Sequence, residues 1–322
     1  MRRIEFARTG GPDVLTLVER DTPAPGPGEV LVRIAVAGIN YIDIHHREGS
    51  FPVQLPYAPG GEAAGTVTAV GEGVHHHAPG DRVAWFGLRG SYADHAVVPA
   101  ASAVPVPEGV TAETAASMML QGVTAHYLAT STWPIQPGQT ALVHAAAGGV
   151  GQLLTQMVKL RGGRVIATVS TEEKAALARA HGADHVINYR TTDFAAATLE
   201  LLGGRGVDVV YDGVGKDTFA GGLQVLRPRG MLVVHGLSSG PVPPFDLGDL
   251  NANGSLFVTS PNPVGYLRNA EEFNGRIKDL FTWVESGDLD VRVGARYPLA
   301  EAARAHHNLE NRRTTGKLLL VP

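Results

Sequence analysis

The chain has 322 residues, 44% of them hydrophobic and 18% charged, enough for about two soluble globular domains of ordinary composition. A formal charge of −4 leaves no basic field for nucleic acid as a main partner, and no apolar run reaches the ~18 residues of a membrane span. Cysteine is absent, which rules out disulfides, thiolate zinc sites and cysteine nucleophiles; Met1-Arg2-Arg3 leads into a mixed, strand-like segment rather than a signal sequence, and a cytoplasmic protein is expected.

Residues 1–120 read as β-rich. Strands are expected at 14–18 and, after the turn-rich Pro23-Ala24-Pro25-Gly26-Pro27-Gly28, at 29–38, where apolar and polar residues nearly alternate. A short helix at 40–47 precedes strands at 63–70, 82–85 and 92–98, punctuated by Gly71, Gly73, Pro79-Gly80 and Gly90. Short strands at this spacing suggest a barrel or sandwich. The period becomes helical at 111–127. From there strands and helices alternate. Strand 141–143 runs through the small residues Ala145 to Gly149 into a helix with Leu153, Leu154, Met157, Val158 and Leu160 at helical spacing. Further strands are expected at 164–169, 186–189, 207–211, 230–235 and 255–259, and helices at 171–181, 193–202 and 217–226. Such alternation implies a parallel sheet with helices on both faces. Beyond Pro263 come a helix at 271–286, with Phe273, Ile277, Leu280, Phe281 and Val284 on one face, a shorter helix at 300–310 and a terminal strand at 317–321. The organisation read from this is a β-rich domain over 1–122, an inserted dinucleotide-binding domain over 123–263, and a tail, 264–322, that returns to the first domain.

A strand, a tight small-residue turn and a helix form the phosphate-holding corner of a βαβ unit, where backbone N–H groups approach a pyrophosphate at the helix N-terminus. Laying G-x-G-x-x-G on the chain gives Ala146, Gly148 and Gly151, so the first glycine is an alanine. Gly148 permits close backbone approach, and Gly151 permits tight helix packing. The competing reading is a Gly/Ala-rich turn with no ligand. An NAD-type site carries an acid at the end of the second strand to bond the ribose 2′-OH. Here Val169 is followed by Ser170, with Lys174 on the next turn. A hydroxyl and an ammonium suit a 2′-phosphate and favour NADPH over NADH. Against this, Ser170-Thr171-Glu172-Glu173 also fits a capping box in which Ser170 serves the helix, and Glu172 and Glu173 would repel a phosphate. Tyr189 either reaches the same adenosine end or covers the core. Arg312 and Arg313 read as solvated charges. His75-His76-His77 lies between Gly73 and Pro79-Gly80 in a loop; adjacent residues there cannot converge on one ion, so no metal site is expected.

Five strings, Gly38-Ile39-Asn40-Tyr41-Ile42-Asp43, Gly61-Glu62-Ala63-Ala64-Gly65, Gly80-Asp81-Arg82-Val83, His144-Ala145-Ala146-Ala147-Gly148-Gly149-Val150-Gly151 and Val186-Ile187-Asn188-Tyr189-Arg190, together resemble the zinc-independent, ζ-crystallin-like quinone oxidoreductases of the medium-chain dehydrogenase/reductase superfamily. The resemblance runs nearly end to end. It implies an α/β architecture: a GroES-like catalytic domain with an inserted Rossmann domain. Zinc alcohol dehydrogenases of that superfamily place a cysteine near the position of Asn40 and a His-Glu pair where this chain has Gly61-Glu62; the thiolates and that histidine are missing here. By the same resemblance, Asn40 would lie near the nicotinamide ribose and Tyr127 beside the cofactor. Gly149 and Val150, following Gly148, would hold the pyrophosphate, and Ser170, Lys174, Tyr189 and Arg312 would surround the 2′-phosphate. Leu237-Ser238-Ser239 and Ser260-Pro261-Asn262 would line the nicotinamide half. Several relatives carry an aromatic at the position of His45 and a tyrosine at that of Phe51, both beside the expected substrate entrance.

The implied activity is NADPH-dependent quinone reduction by direct hydride transfer. A quinone is a strong electrophile whose reduced oxyanion is resonance-stabilised, so no zinc is needed. Tyr41 and His45 are candidate proton donors alongside solvent, and no catalytic acid is assigned. An NADPH-dependent reductase of enones or other α,β-unsaturated carbonyls uses the same hydride geometry. A third reading is a non-enzymatic NADPH-binding protein: a sensor, an RNA-associated factor or a structural protein. The resemblance also implies a homodimer, with 255–259 as the apolar edge strand.

Overall fold

The computed structural model describes residues 1–322. They divide into two compact units, Met1–Gln121 with Val291–Pro322, and Gly122–Asp290.

The first unit opens with two short antiparallel strands, β1 (Arg2–Glu5) and β2 (Thr16–Glu19). The strand expected at 14–18 starts late because Pro12–Val14 forms a 3-10 turn, with proline fixing its first residue. The alternating run becomes β3 (Glu29–Ile39), which buries Val30, Val32, Ile34 and Val36 on one face. After α1 (Tyr41–Glu48) come β4 (Glu62–Val70), β5 (Arg82–Phe86), β6 (His95–Pro99) and β7 (Val104–Pro105). Helix α2 (Ala112–Tyr127) follows and widens into a π-helical turn at Leu128–Thr132.

In the second unit, β8 (Thr140–Val143), β9 (Arg164–Val169), β10 (His185–Asn188), β11 (Val207–Asp212), β12 (Leu226–Val234) and β13 (Phe257–Thr259) form one parallel sheet in the order β10-β9-β8-β11-β12-β13. The strand order reverses between β8 and β11, which is the switch point where such sheets open a ligand crevice. Every residue of β8 is buried, as expected of a central parallel strand covered on both faces. The helices are α3 (Gly149–Leu160), α4 (Glu172–Ala180), α5 (Phe194–Leu201), α6 (Phe219–Gln224), α7 (Leu247–Ala252), α8 (Pro263–Tyr266) and α9 (Ala270–Ser286). Helices α7 and α8 carry too few turns to show a period; they are marked instead by caps, the Asp246 side chain accepting from Gly248 N–H and that of Asn262 from Val264 N–H.

The chain re-enters the first unit with β14 (Val293–Pro298), α10 (Ala302–Glu310) and β15 (Lys317–Val321). β15 inserts between β14 and β3 in a seven-stranded sheet, and β6 also pairs with β3. Leu318 and Leu320 thereby join Ile4, Phe6, Trp85 and Tyr92 in one core. The return falls at Val291 rather than at residue 264, because α9 belongs to the second unit. Arg276 of α9 donates to His126 Nδ1 at 3.0 Å and Ser131 Oγ at 2.9 Å, and Gln156 Nε2 of α3 donates to the Asp290 carbonyl at 2.9 Å. No helix is long and apolar enough to cross a membrane.

Candidate functional site

All the candidate residues of the second unit except Tyr127 lie beyond the C-terminal ends of its parallel strands. The turn after β8 has one left-handed residue, Ala145 at φ +50°. The left-handed position therefore precedes the fingerprint, and Ala146 can stand where the motif has its first glycine. Gly151 is required for another reason: a Cβ there would come within 2.4 Å of the Ala145 carbonyl oxygen and 2.8 Å of Ala146 Cα. Only glycine lets α3 lie this close to the turn. A Cβ on Gly148 would meet that oxygen at 3.1 Å. Gly148 is also the N-cap of α3 and has no side chain to satisfy the helix's first N–H groups. Gly149 and Val150, in that first turn and part-exposed, are left with donors suited to a pyrophosphate.

At the end of β9 the two readings of Ser170 separate. The N-cap of α4 is Thr171, whose hydroxyl accepts from Lys174 N–H at 3.3 Å, so Ser170 does not serve the helix. Glu172 is bonded to Arg179 at 2.6 Å, which offsets its repulsion toward an anion. Tyr189 follows β10, and its N–H donates to the Val169 carbonyl at 3.0 Å, placing it next to Ser170. It is 38% exposed and therefore does not cover the core. No carboxylate ends β9. Arg312 belongs to the first unit, in a left-handed turn after α10, where its charge acts on the Tyr41 hydroxyl.

The remaining strand ends form a braced loop set. Asp212 closes β11 fully buried, and its carboxylate accepts from Val214 N–H at 2.7 Å, Gly215 N–H at 3.0 Å and Thr218 Oγ1. Beside it, burial depresses His144 and His235 to about 4 each. Within the segment Leu237-Ser238-Ser239, the Ser239 hydroxyl is committed to the protein: it donates to the Val214 carbonyl at 2.8 Å and accepts from Asp217 N–H at 3.0 Å. It fixes its loop, and a ligand finds backbone there instead. After β13, Ser260 is exposed and Pro261 half-buried, while Asn262 caps α8. That short helix carries Tyr266, a residue with no sequence signal, whose ring stacks on Tyr127 with centroids 4.5 Å apart and planes within 8°. Tyr127 is itself buried, which pushes its hydroxyl up to about 12.

In the first unit, Asn40 sits at the N-terminus of α1. Its N–H donates to Asp43 Oδ2 at 2.9 Å, and its side-chain amide is engaged by Glu62, Lys317 and Gln121. Asp43 also accepts from Tyr92 Oη at 2.9 Å, and burial raises its carboxyl to about 6. Tyr92 reaches His306 Nε2 at 3.1 Å, and burial, seconded by the Arg47 charge, holds His306 down at about 3. Glu62 entered the sequence reading only within the Gly61–Gly65 string and without a role; Gln121, Lys317, Tyr92 and His306 were not singled out, because each is remote in the chain and fits no local motif. Of the proton-donor candidates, Tyr41 is shifted upward, mainly by burial. His45 Nδ1 lies 2.9 Å from Glu48 Oε1, and its ring packs on Tyr41 and Phe51. Glu48 can only accept, so Nδ1 carries a proton and Nε2 of the neutral ring is an acceptor; His45 donates outward only as imidazolium. No group of three or more His, Cys, Asp or Glu converges as a metal site.

A β-domain re-entered by the C-terminal strand, with a doubly wound nucleotide-type sheet as its second unit, defines a medium-chain dehydrogenase/reductase. Residues 26–108 match the alcohol dehydrogenase GroES-like domain and residues 181–320 the zinc-binding dehydrogenase domain. The chain is 44% identical to a quinone oxidoreductase of Pseudomonas aeruginosa over 100% of this chain and 99% of that protein. It is 41% identical to a 2-haloacrylate reductase of a Burkholderia species, over 98% and 97%. The crystal structure of Escherichia coli quinone oxidoreductase complexed with NADPH superposes with a TM-score of 0.97 at 43% identity, covering 100% of both chains. The chain belongs to the quinone oxidoreductase family.

Proposed function

We infer that the protein is an NADPH-dependent quinone reductase that works without zinc. The observation that carries the cofactor is the end of β9: Ser170 is not used by the helix cap, Lys174 stands one turn on, Tyr189 is exposed alongside, and no carboxylate competes. The glycine cradle of Gly148 and Gly151 and the uncapped α3 fit the pyrophosphate, with Gly149 and Val150 as donors. On the same unit Tyr127, Leu237, Ser238, Ser239, Ser260, Pro261 and Asn262 complete the proposed binding set, with Ser239 acting through its loop; Asn40 and Arg312 are the cofactor residues proposed, by family resemblance, for the first unit.

Bound NADPH would supply a hydride from nicotinamide C4, the hard part of the reaction. The chain's own contribution is placement. The α3 N-terminus and the Ser170/Lys174 pair anchor the phosphates. The cysteine and histidine positions of the zinc dehydrogenases are held here by neutral Asn40 and by Gly61, and the adjacent Glu62 is already paired with the Lys317 ammonium. A cation there would have to displace that ammonium, so the acceptor must be reducible without a Lewis acid. Protonation of the product falls to solvent or to the His45 imidazolium, with Tyr41 the other candidate.

The kinship with a 2-haloacrylate reductase supports a second reading, reduction of an activated C=C bond. NADPH oxidation measured against a panel of quinones, enones and 2-haloacrylates decides between them; micromolar NADPH binding with no turnover on any acceptor would leave a non-enzymatic binding protein. β13 is a sheet edge of three residues with Phe257 53% exposed, which supports a homodimer built on that edge. Sedimentation of Phe257→Lys as a monomer, against a dimeric wild type, is the expected result. A cytoplasmic location goes with the use of NADPH as reductant.

A further inference from the structure

The parallel rings of Tyr127 and Tyr266 both lie in the second unit, and they are held very differently. Tyr127 ends α2 and is 1% exposed. The chain around it is pinned. Tyr211 Oη donates to the Leu128 carbonyl at 3.2 Å, Thr130 Oγ1 to the His126 carbonyl at 2.7 Å, and Arg276 Nη1 to His126 Nδ1 at 3.0 Å. Tyr127 is thus a fixed backing with no face of its own left for a ligand. Tyr266 covers it from α8, a single turn that starts at Pro263 and is capped by Asn262, whose side chain accepts from Val264 N–H at 2.9 Å. Tyr266 is half-buried. With one ring face lying on Tyr127, the surface it keeps is its outer face and its edge.

The sheet fixes where that face stands. α8 leaves the C-terminal end of β13, the side on which parallel sheets of this kind bind ligands. A dinucleotide lies across the switch point between β8 and β11, one half over each set of strands. The groups suited to the adenosine 2′-phosphate, Ser170, Lys174 and Tyr189, follow β9 and β10. The nicotinamide half therefore falls over β11, β12 and β13, the side from which α8 departs. Hydride transfer requires the acceptor ring in contact with nicotinamide C4. A quinone offers a wide, electron-poor face, and a tyrosine ring has a negative face that attracts it. Reduced nicotinamide is itself electron-rich and gains less from such a stack.

We propose that Tyr266 is a specificity residue for the electron acceptor: backed by Tyr127, its outer face stacks a flat, electron-poor ring and so favours quinones over small aliphatic enones. Tyr127 supplies rigidity and touches no acceptor. This deepens the quinone-reductase reading above and rests on it; it calls on no residue of the first unit.

Steady-state kinetics with NADPH test it by comparing menadione, a flat bicyclic quinone, with methyl vinyl ketone, which has an activated C=C bond but no ring. Tyr266→Leu keeps apolar cover over Tyr127 and removes the flat face. It is expected to raise KM for menadione about fivefold with kcat held, the loss of one aromatic stack, and to leave KM for methyl vinyl ketone and the Kd of NADPH within about twofold of wild type. Tyr266→Phe keeps the ring without its hydroxyl and is expected to match wild type on both acceptors. An unchanged KM for menadione, an equal rise for both acceptors, or a loss confined to NADPH binding overturns the proposal. So does a Tyr266→Phe protein as impaired as Tyr266→Leu, since the hydroxyl would then be what holds the acceptor. Should Tyr266→Leu not fold, Tyr266→Met takes its place under the same readouts. A wild type that binds NADPH and reduces methyl vinyl ketone but no quinone overturns the quinone reading and this proposal with it. A wild type that reduces menadione upholds that reading, and the Tyr266 variants then decide the proposal alone.

Discussion

The phosphate corner of the second unit and the Asn40 network of the first are polar sites built in opposite ways. The corner is made from consecutive residues, Ala145 to Gly151, and presents mostly backbone. The network is made from side chains on β4, α2 and β15 and at the N-terminus of α1, with Lys317 reaching a carbonyl 278 positions away. A backbone site depends on where a Cβ is absent; a buried side-chain network depends on every partner being present. The first should tolerate most substitutions that respect its shape, and the second should fail on a single deletion.

The largest effect expected is that of Glu62→Ala. It leaves the fully buried ammonium of Lys317 without its carboxylate, which typically costs about 3–5 kcal/mol. Gly151→Ala pushes a methyl into the Ala145 carbonyl and should cost less, about 1–3 kcal/mol, because the turn can shift. That shift displaces the α3 N-terminus, so NADPH affinity should fall out of proportion to stability. Denaturant melts beside NADPH titrations measure both. A Gly151→Ala protein as unstable as Glu62→Ala, with no preferential loss of NADPH, would break the contrast.

Acid should also divide the two units. His144 and His235 in the second are held near 4, below their unfolded value of 6.5. Groups with depressed folded values stabilise above the unfolded value, and that stability drains as pH falls from 6.5 toward 4. Two protons taken up only by the unfolded state amount to about 2–3 kcal/mol per pH unit near pH 5. The first unit holds His306 at about 3 but also Asp43 at about 6, raised from 3.8. Asp43 binds its proton more tightly when folded between pH 4 and 6, so it acts in the opposite sense and largely cancels His306 in that window. Hydrogen exchange resolved by segment, corrected for intrinsic rate, should show the second unit loosening first on acidification. The reverse order would show that burial alone does not set these values.

The same division explains what could be read from the chain. The strands and helices of the parallel sheet declared themselves because each is a short apolar run or an amphipathic turn set within a few residues. The loops at their C-terminal ends then located Gly148, Ser170 and Tyr189. The competing cap at Ser170 was decided only by the structure: Thr171 takes the extended N-cap conformation at φ −147° and ψ 159°, and its hydroxyl accepts from Lys174 N–H. The return of α9 to the second unit was not legible, because its apolar stripe says that it packs but not on what; the partners, His126 and Ser131, lie about 150 residues back. β14 escaped notice because its exposure alternates with few apolar residues, and α8, with Tyr266, because four residues make no period. Lys317 looked like an ordinary charge at a strand end. Its role appears only when β15 is laid beside β3, since register brings Leu318 opposite Ile39 and Lys317 beside Asn40.

Lys174→Ala probes the second unit at the ligand. The ammonium should interact with the 2′-phosphate that distinguishes NADPH, so NADPH binding is expected to weaken about tenfold or more while NADH binding holds. Parallel titrations of the two dinucleotides check it, and equal losses would remove Lys174 from the 2′-phosphate.

The smallest effect is the sharpest test of how the corner is divided between fold and ligand. Ser170 and Thr171 are adjacent hydroxyl residues, but only Thr171 caps α4. Thr171→Ala should cost about 1 kcal/mol of stability, as lost N-caps do, and NADPH should then bind the folded protein nearly as before. Ser170→Ala should leave stability within about 0.5 kcal/mol, since no helix donor depends on its hydroxyl, and weaken NADPH against NADH. The prediction is a crossed pattern on neighbouring residues, which a general loosening of the β9–α4 junction would not produce. Were both substitutions to lower stability and NADPH affinity together, Ser170 and Thr171 would share the capping role in solution, and the case for NADPH would rest on Lys174 and Tyr189 alone.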